Sequence, residues 1–252
     1  MPTAQLKGFD IAYEVSGNGP AVLFTHGYQA SGRMWDSQRA ALEPRYRVIT
    51  WDLRGHGSSG APDDPDLYSH ELLVADMRGL LQSLGEDQAV LVGHSLGGFA
   101  SLRFYLDHPE MVRGLVLFGS GPGYRDVEAR GKWNQMAARF ANSVETRGLE
   151  ILKKAGLEVS SAKHSSAVGL AHAGRKMLAQ FDSRVMDAIT DIAVPTLVVV
   201  GSEDKPFLGS SEYMAKKIPE AKLEVIAGAG HAANMEKPDE FNAALDRFLG
   251  AL

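Results

Sequence analysis

A serine set between glycines is the first group in this 252-residue chain able to do chemistry. Ser95 stands in Gly93-His94-Ser95-Leu96-Gly97, after an apolar stretch at residues 88–92 and before a helical pattern. A strand that turns sharply into a helix strains the serine and exposes its hydroxyl. Glycines are needed at both flanks, because side chains there would strike the neighbouring strand and helix. The helix N-terminus behind Ser95 also favours developing negative charge. The bare pattern arises readily by chance in a chain with 27 glycines, so the strand–turn–helix context carries the weight. Ser95 is the candidate nucleophile.

A serine hydroxyl needs a base, and the base needs a group to orient it. His231 closes Gly228-Ala229-Gly230-His231, directly after the last strand pattern. Asp204 closes Gly201-Ser202-Glu203-Asp204, directly after another. The order Ser95, Asp204, His231 is the one a strand-end triad of this kind follows. Glu203 is the alternative acid. No acid stands at the end of the strand pattern Val112–Phe118. The other histidines, at 26, 56, 70, 94, 108, 164 and 172, compete less well. His94 adjoins the nucleophile and points the wrong way to serve it. His108 precedes Pro109 at a helix end. His164 and His172 are expected to face solvent.

The oxyanion of an acyl-transfer intermediate needs two backbone donors. One is expected at Leu96, the residue after the nucleophile. The other is expected at Tyr28, in His26-Gly27-Tyr28 after the strand pattern Ala21–Thr25. His26 is read as fixing that loop. The run Asp52-Leu53-Arg54-Gly55-His56-Gly57-Ser58 is read as a structural loop; a phosphate loop would need GxxxxGK[ST], which it lacks. No pair of histidines or acids shows metal-ligand spacing, so no metal and no cofactor are expected.

Positioning these residues requires a parallel sheet, and the pattern supplies one. Short β-branched runs alternate with helical periodicity. Strands are expected at residues 4–6, 11–15, 21–25, 47–51, 88–92, 112–118, 196–200 and 222–226, the first two forming a hairpin around Gly8. Helices are expected at residues 70–84, 96–106 and 238–249. Between Gly119 and Pro195 the strand signal vanishes. Trp133, Met136, Ala137 and Phe140 fall on one helical face, and Ser183 is placed to cap a further helix presenting Val185, Met186 and Ile189. Residues 121–190 therefore read as a helical cap inserted after the sixth strand. Residues 1–120 and 191–252 read as the core domain.

The bulk numbers exclude several classes. A net charge of −5 and a pI near 5.9 argue against nucleic acid and anionic membranes as partners. With no cysteine there is no disulfide, thiolate nucleophile or zinc–thiolate site. The longest apolar stretch, residues 192–200, is too short to span a bilayer and carries Pro195. No secretory leader is visible, and a soluble, cytoplasmic protein is expected.

Taken together, these motifs resemble the lidded α/β-hydrolase superfamily. The match runs from His26-Gly27 through Asp52–Ser58, Gly93–Gly97 and Gly201–Asp204 to Gly230-His231 with Glu236, Pro238 and Phe241. The resemblance implies an α/β fold with a mostly parallel eight-stranded sheet flanked by helices. Ser95 stands where epoxide hydrolases and haloalkane dehalogenases carry aspartate. The chain is similar to small carboxylesterases, to 3-oxoadipate enol-lactonases and to hydrolases that cleave C–C bonds in vinylogous diketones; perhydrolases and haloperoxidases also look similar. The C–C enzymes usually carry an arginine for a substrate carboxylate, and Arg125, Arg130, Arg139 and Arg175 are candidates. The expected reaction is hydrolysis of a small carboxylic ester through an acyl-enzyme. Trp133, Met136, Phe140 and Met177 are candidates for the pocket wall. A lactonase or C–C hydrolase is the alternative, and a small-molecule receptor that keeps the triad is the rival from another class.

Overall fold

The computed structural model describes residues 2–6 and 9–252. Eight strands form one sheet: β1 (Thr3–Leu6), β2 (Phe9–Ser16), β3 (Ala21–Thr25), β4 (Arg47–Trp51), β5 (Ala89–His94), β6 (Val112–Phe118), β7 (Thr196–Gly201) and β8 (Lys222–Ile226). Their order across the sheet is β1-β2-β4-β3-β5-β6-β7-β8. β1 pairs antiparallel with β2 and β2 with β4; every other pairing is parallel. The turn assigned to Gly8 lies outside the described residues.

The helices are α1 (Asp36–Leu42), α2 (His70–Ser83), α3 (Leu96–Asp107), α4 (Val127–Arg147), α5 (Leu157–Ser160), α6 (Ala167–Ala173), α7 (Arg184–Ala188), α8 (Lys205–Lys217), α9 (Ala233–Glu236) and α10 (Pro238–Leu249). β3, β5 and β7 are buried along their whole length, as parallel strands covered on both faces must be. Alternate residues feed two cores. Leu23, Leu91, Leu115 and Val198 meet Leu73, Met77 and Leu80 of α2 on one face. Phe24, Val92, Val116 and Val199 meet Phe241 and Leu245 of α10 on the other. Among the described residues no helix is long and apolar enough to cross a membrane.

All of α4 to α7 fall between β6 and β7. The buried stripe of α4 is Ala137, Ala141 and Val144, one position off the expected face. Small residues sit there because α4 packs close to α6 and the π turn Gly174–Leu178 that continues it. Phe140 is thereby turned outward and is 46 % exposed, contrary to its assignment to a pocket wall. Ser183 does precede α7, but its hydroxyl bonds Asp187 Oδ2 at 2.7 Å instead of capping the backbone.

The loop after β4 is built around buried charge. Asp52 accepts from Gly32 N at 2.7 Å and Ser58 N at 2.8 Å. Arg54 forms a two-pronged pair with Asp76 of α2, Nε to Oδ2 and Nη2 to Oδ1, both 2.7 Å, with both side chains sealed from water. This is a structural loop, as expected. Removing one partner strands an uncompensated charge, so Asp76→Ala should cost about 3–5 kcal/mol in urea unfolding. The double change Arg54→Met/Asp76→Leu should recover most of that loss. A single variant as stable as the double one would show that the pair does not hold the loop.

Candidate active site

Ser95 occupies the single residue between β5 and α3, at φ +52° and ψ −113°. A side chain at this φ costs energy and survives only where neighbours fix it. Ser95 N donates to Phe118 O at 2.9 Å, and Ser120 Oγ donates to Ser95 O at 2.7 Å. Both partners stand at the end of β6. The flanking glycines answer to space: a Cβ on Gly93 would fall 2.3 Å from Gly97 O, and one on Gly97 would fall 2.2 Å from Thr25 O.

His231 and Asp204 meet at the same edge of the sheet. His231 Nδ1 lies 2.7 Å from Asp204 Oδ2, and Asp204 is 4 % exposed. Glu203, the alternative acid, is exposed and pairs with Lys205. A Cβ built on Gly119, the residue after β6, would sit 3.1 Å from His231 Nδ1 and 3.3 Å from Asp204 Oδ2. The pair therefore lies over the residue next to Ser95's own backbone partner, Phe118. Phe207 of α8 stacks on the His231 ring, with centroids 4.8 Å apart and planes 19° apart. His94 holds the loop from beneath, its Nε2–H donating to His231 O at 3.0 Å. Gly230 N donates to Glu236 Oε2 at 2.7 Å. The support given by His94 was not foreseen; its only trace in the sequence is its place beside the nucleophile.

The loop after β3 reaches the same spot. A Cβ on Gly27 would lie 3.1 Å from Ser95 Cβ. The next N–H along the chain is Tyr28's, and the Leu96 N–H stands in the first turn of α3, where no helical carbonyl precedes it. The Tyr28 phenol is spoken for, donating to Leu170 O of α6 at 2.9 Å. Gln29 comes next, at φ +63°.

His164 corrects an expectation. It does not face solvent. Its Nδ1 accepts from Gly57 N at 3.0 Å and its Nε2–H donates to Gln29 O at 2.8 Å. A histidine of the inserted segment thus ties together the two loops that leave β3 and β4. His172 also bonds backbone, its Nε2–H donating to Asp63 O at 3.0 Å. His26 accepts from Leu53 N at 3.0 Å through Nε2, and its ring lies 5.2 Å from that of His56. His56 in turn lies 5.9 Å from His164.

A cavity of about 280 Å³ opens beside Ser95. Leu96, Phe99, Pro122, Trp133, Met136 and Phe207 supply most of its apolar wall. Trp133 and Met136 are where they were expected. Met177 is not: it is fully buried in the core, and its carbonyl accepts from His70 Nε2–H at 2.8 Å. Phe207, Leu178 and Gln180 were missed. Phe207 lies on α8, a helix for which no expectation was drawn, and the other two stand at the end of the π turn and just after it.

The sequence profile of the Alpha/beta hydrolase family matches residues 22–244, and the chain belongs to that family. Among its relatives, 3-oxoadipate enol-lactonase 1 of Acinetobacter baylyi is 28 % identical over 98 % of this chain and 95 % of its own length. Pimeloyl-[acyl-carrier protein] methyl ester esterase of Aeromonas hydrophila is 28 % identical over 95 % of this chain and 99 % of its own. Among solved structures, a thermophilic esterase from Thermogutta terrifontis superposes with a TM-score of 0.83, at 27 % identity over 99 % of this chain and 98 % of its own.

The histidines packed around the site are held neutral by burial. His26 is pushed down to about 3, while His56 and His94 fall well below the ordinary histidine value and His164 below it. In the unfolded chain each takes a proton once pH drops below about 6.5. The unfolded state then binds more protons than the folded one, so stability falls as pH falls. The loss begins near pH ~6.5 and, for His26, continues down to about 3, where that ring protonates in the fold. Melting temperatures between about pH 7 and 5 read this loss, against a smaller opposing contribution from the buried Asp52 carboxyl, which burial pushes up. They should fall steadily; a flat or rising profile there would show that the cluster is not held neutral.

Proposed function

We propose that this α/β hydrolase cleaves a small, uncharged carboxylic ester, with Ser95 as nucleophile, His231 as base and Asp204 as the acid that orients it. The observation that carries the reading is the Asp204–His231 hydrogen bond of 2.7 Å, set at the same sheet edge as the strained Ser95. His231 takes the Ser95 proton as the hydroxyl attacks the ester carbonyl. The Leu96 and Tyr28 N–H groups receive the oxygen as it gains charge, which favours the transition state over the ground state. The imidazolium returns its proton to the departing alcohol. Water, giving its proton to His231, then splits the acyl-enzyme and releases the acid. Asp204 fixes the tautomer with Nε2 free to accept.

The cavity supports an ester over a carboxylate-bearing diketone or enol-lactone. Among the described residues no charged side chain lines it. Of the four candidate arginines, Arg125 pairs with Asp187, Arg175 with Glu145, Arg130 bonds Tyr124 O, and Arg139 is exposed. An anion entering an apolar cavity with no cation loses its hydration without compensation. The volume of about 280 Å³ suits a small substrate. An enzyme of this kind turns over repeatedly, whereas a receptor would show single turnover.

p-Nitrophenyl butyrate assayed beside a ring-cleavage diketone and a carboxylated enol-lactone tests the substrate class. The butyrate should be hydrolysed with multiple turnovers, and Ser95→Ala should abolish this while leaving the melting temperature near wild type. A fluorophosphonate should label Ser95 alone. Residual turnover above a few per cent in a folded Ser95→Ala would remove Ser95 from the mechanism.

The two candidate acids separate in a second comparison. Asp204→Asn leaves the shape but presents the wrong hydrogen-bonding partner to His231; such a change in a triad costs up to about 10⁴ in kcat. Glu203→Gln should stay close to wild type. Equal losses at both positions would mean that the acid has been misassigned.

A further inference from the structure

Gln180 brings a buried carboxamide to the wall of the cavity. It is 6 % exposed and lines the space beside Ser95. Its backbone is clamped from both sides by Asn134 of α4: Gln180 N donates to Asn134 Oδ1, and Asn134 Nδ2 donates to Gln180 O, each at 2.7 Å. Its side chain is a different matter. Oε1 is buried with no partner, and no hydrogen bond engages Nε2 among the described residues. Buried polar groups are nearly always bonded, so an unbonded carboxamide at a cavity wall calls for an explanation.

The surroundings are arranged to admit it. Gly123, at φ +88°, faces the carboxamide, and a Cβ there would lie 2.9 Å from Oε1 and 3.3 Å from Cδ. A larger residue at 123 would displace the group. The other short polar side chains of the lining are committed elsewhere. Ser120 Oγ donates to Ser95 O at 2.7 Å, and Ser210 Oγ to Ser120 O at 2.8 Å. Tyr124 is exposed to solvent at 37 %. Gln180 is left as the buried, directional and uncommitted group in an otherwise apolar, uncharged cavity.

We propose that Gln180 determines specificity by hydrogen-bonding a neutral group on the part of the ester that fills this cavity. A carboxamide offers two donors and an acceptor, and a half-turn of its last torsion presents either end. Its best complement donates and accepts at once, as a secondary amide does. A carboxylate would meet no cation among the described lining residues. The substrate class is therefore an ester bearing an amide, or a similarly neutral donor–acceptor group, on its acyl or alcohol arm. This inference rests on the ester-hydrolase reading above.

Two matched ester pairs test it. Methyl 4-acetamidobutanoate is set against methyl heptanoate, and 2-acetamidoethyl butanoate against pentyl butanoate. Within each pair the amide is the main difference between two esters of similar size. Gln180→Met keeps the bulk and removes the hydrogen bonds. In one pair at least, it should lower kcat/KM for the acetamido ester about tenfold, the worth of a neutral hydrogen bond, chiefly through KM. The alkyl partner should hold or improve. Equal losses on both members of both pairs would assign Gln180 a structural role and overturn the proposal. So would unchanged kinetics on both acetamido esters. Binding of the same four compounds to Ser95→Ala, with and without Gln180→Met, is measured by calorimetry. If wild type hydrolyses none of the four, the ester reading falls, and the calorimetry still decides Gln180: the acetamido ligand loses about tenfold in affinity or the proposal fails.

Discussion

Ser95 holds a backbone conformation that residues with side chains ordinarily avoid, and much of the architecture exists to keep it there. Its φ of +52° costs on the order of 1–3 kcal/mol. Three neighbours hold it: β5, which delivers the chain; α3, which carries it away; and the end of β6, which grips it through Phe118 O and Ser120 Oγ. The grip works because Gly93 and Gly97 let β5 and α3 approach to distances no Cβ would permit. The sheet order then brings the ends of β7 and β8 alongside. Asp204 and His231 lie just beyond those two ends, so the same parallel register that supports Ser95 sets them beside it. Their meeting at one edge is a consequence of the sheet direction, since every strand from β3 onward points its C-terminal end the same way.

The second constraint is dryness. His26, His56 and His94 are fully buried, and burial keeps them uncharged. Their neutral rings bond backbone, and His26 packs against His56, an arrangement positive rings could not adopt without mutual repulsion. His94 shows the arrangement most plainly. Its Nε2–H holds His231 O, and its Nδ1 is left unbonded against Gly27. His231 differs by being partly exposed and paired with a carboxylate. Environment therefore separates five chemically identical side chains, at 26, 56, 94, 164 and 231, into four that brace loops and one that pairs with the Asp204 carboxylate.

The strands and the tight turn at Ser95 were legible in the sequence because their signals are local. Residues 112–118 and 222–226 read as strands from their β-branched runs, and the Ser95 turn from two glycines at fixed spacing. β5 runs two residues further than expected, through Gly93 to His94, because a glycine inside a strand looks like its end. The inserted helices were legible as helices, but their facing was not. An apolar residue at i+7 usually points inward, which is the expectation for Phe140; Ala137 and Ala141 take that face, since only small side chains allow α4 to approach α6 so closely. Met177 falls to the core for a similar reason: a π turn rotates the side chains on it out of α-helical phase. His164 and Gln180 could not be read at all, because their partners lie more than 40 residues away in sequence.

Those long-range bonds share a feature that bears on how specificity can change in such a fold. Tyr28 to Leu170, His164 to Gln29, Asn134 to Gln180 and His70 to Met177 all end on backbone atoms. The inserted helices are thus fastened to the sheet, and to each other, by side chains that read main chain. A backbone partner survives replacement of its own side chain. Leu178, whose carbonyl accepts from Trp133 Nε1 at 2.8 Å, and Gln180 can therefore change identity while the bonds that set their position persist. Ser95, Asp204 and His231 stand beyond separate strand ends and are placed by the sheet register. The wall of the cavity and the machinery beside it can accordingly vary independently, which suits a family whose relatives include both an enol-lactonase and a methyl ester esterase.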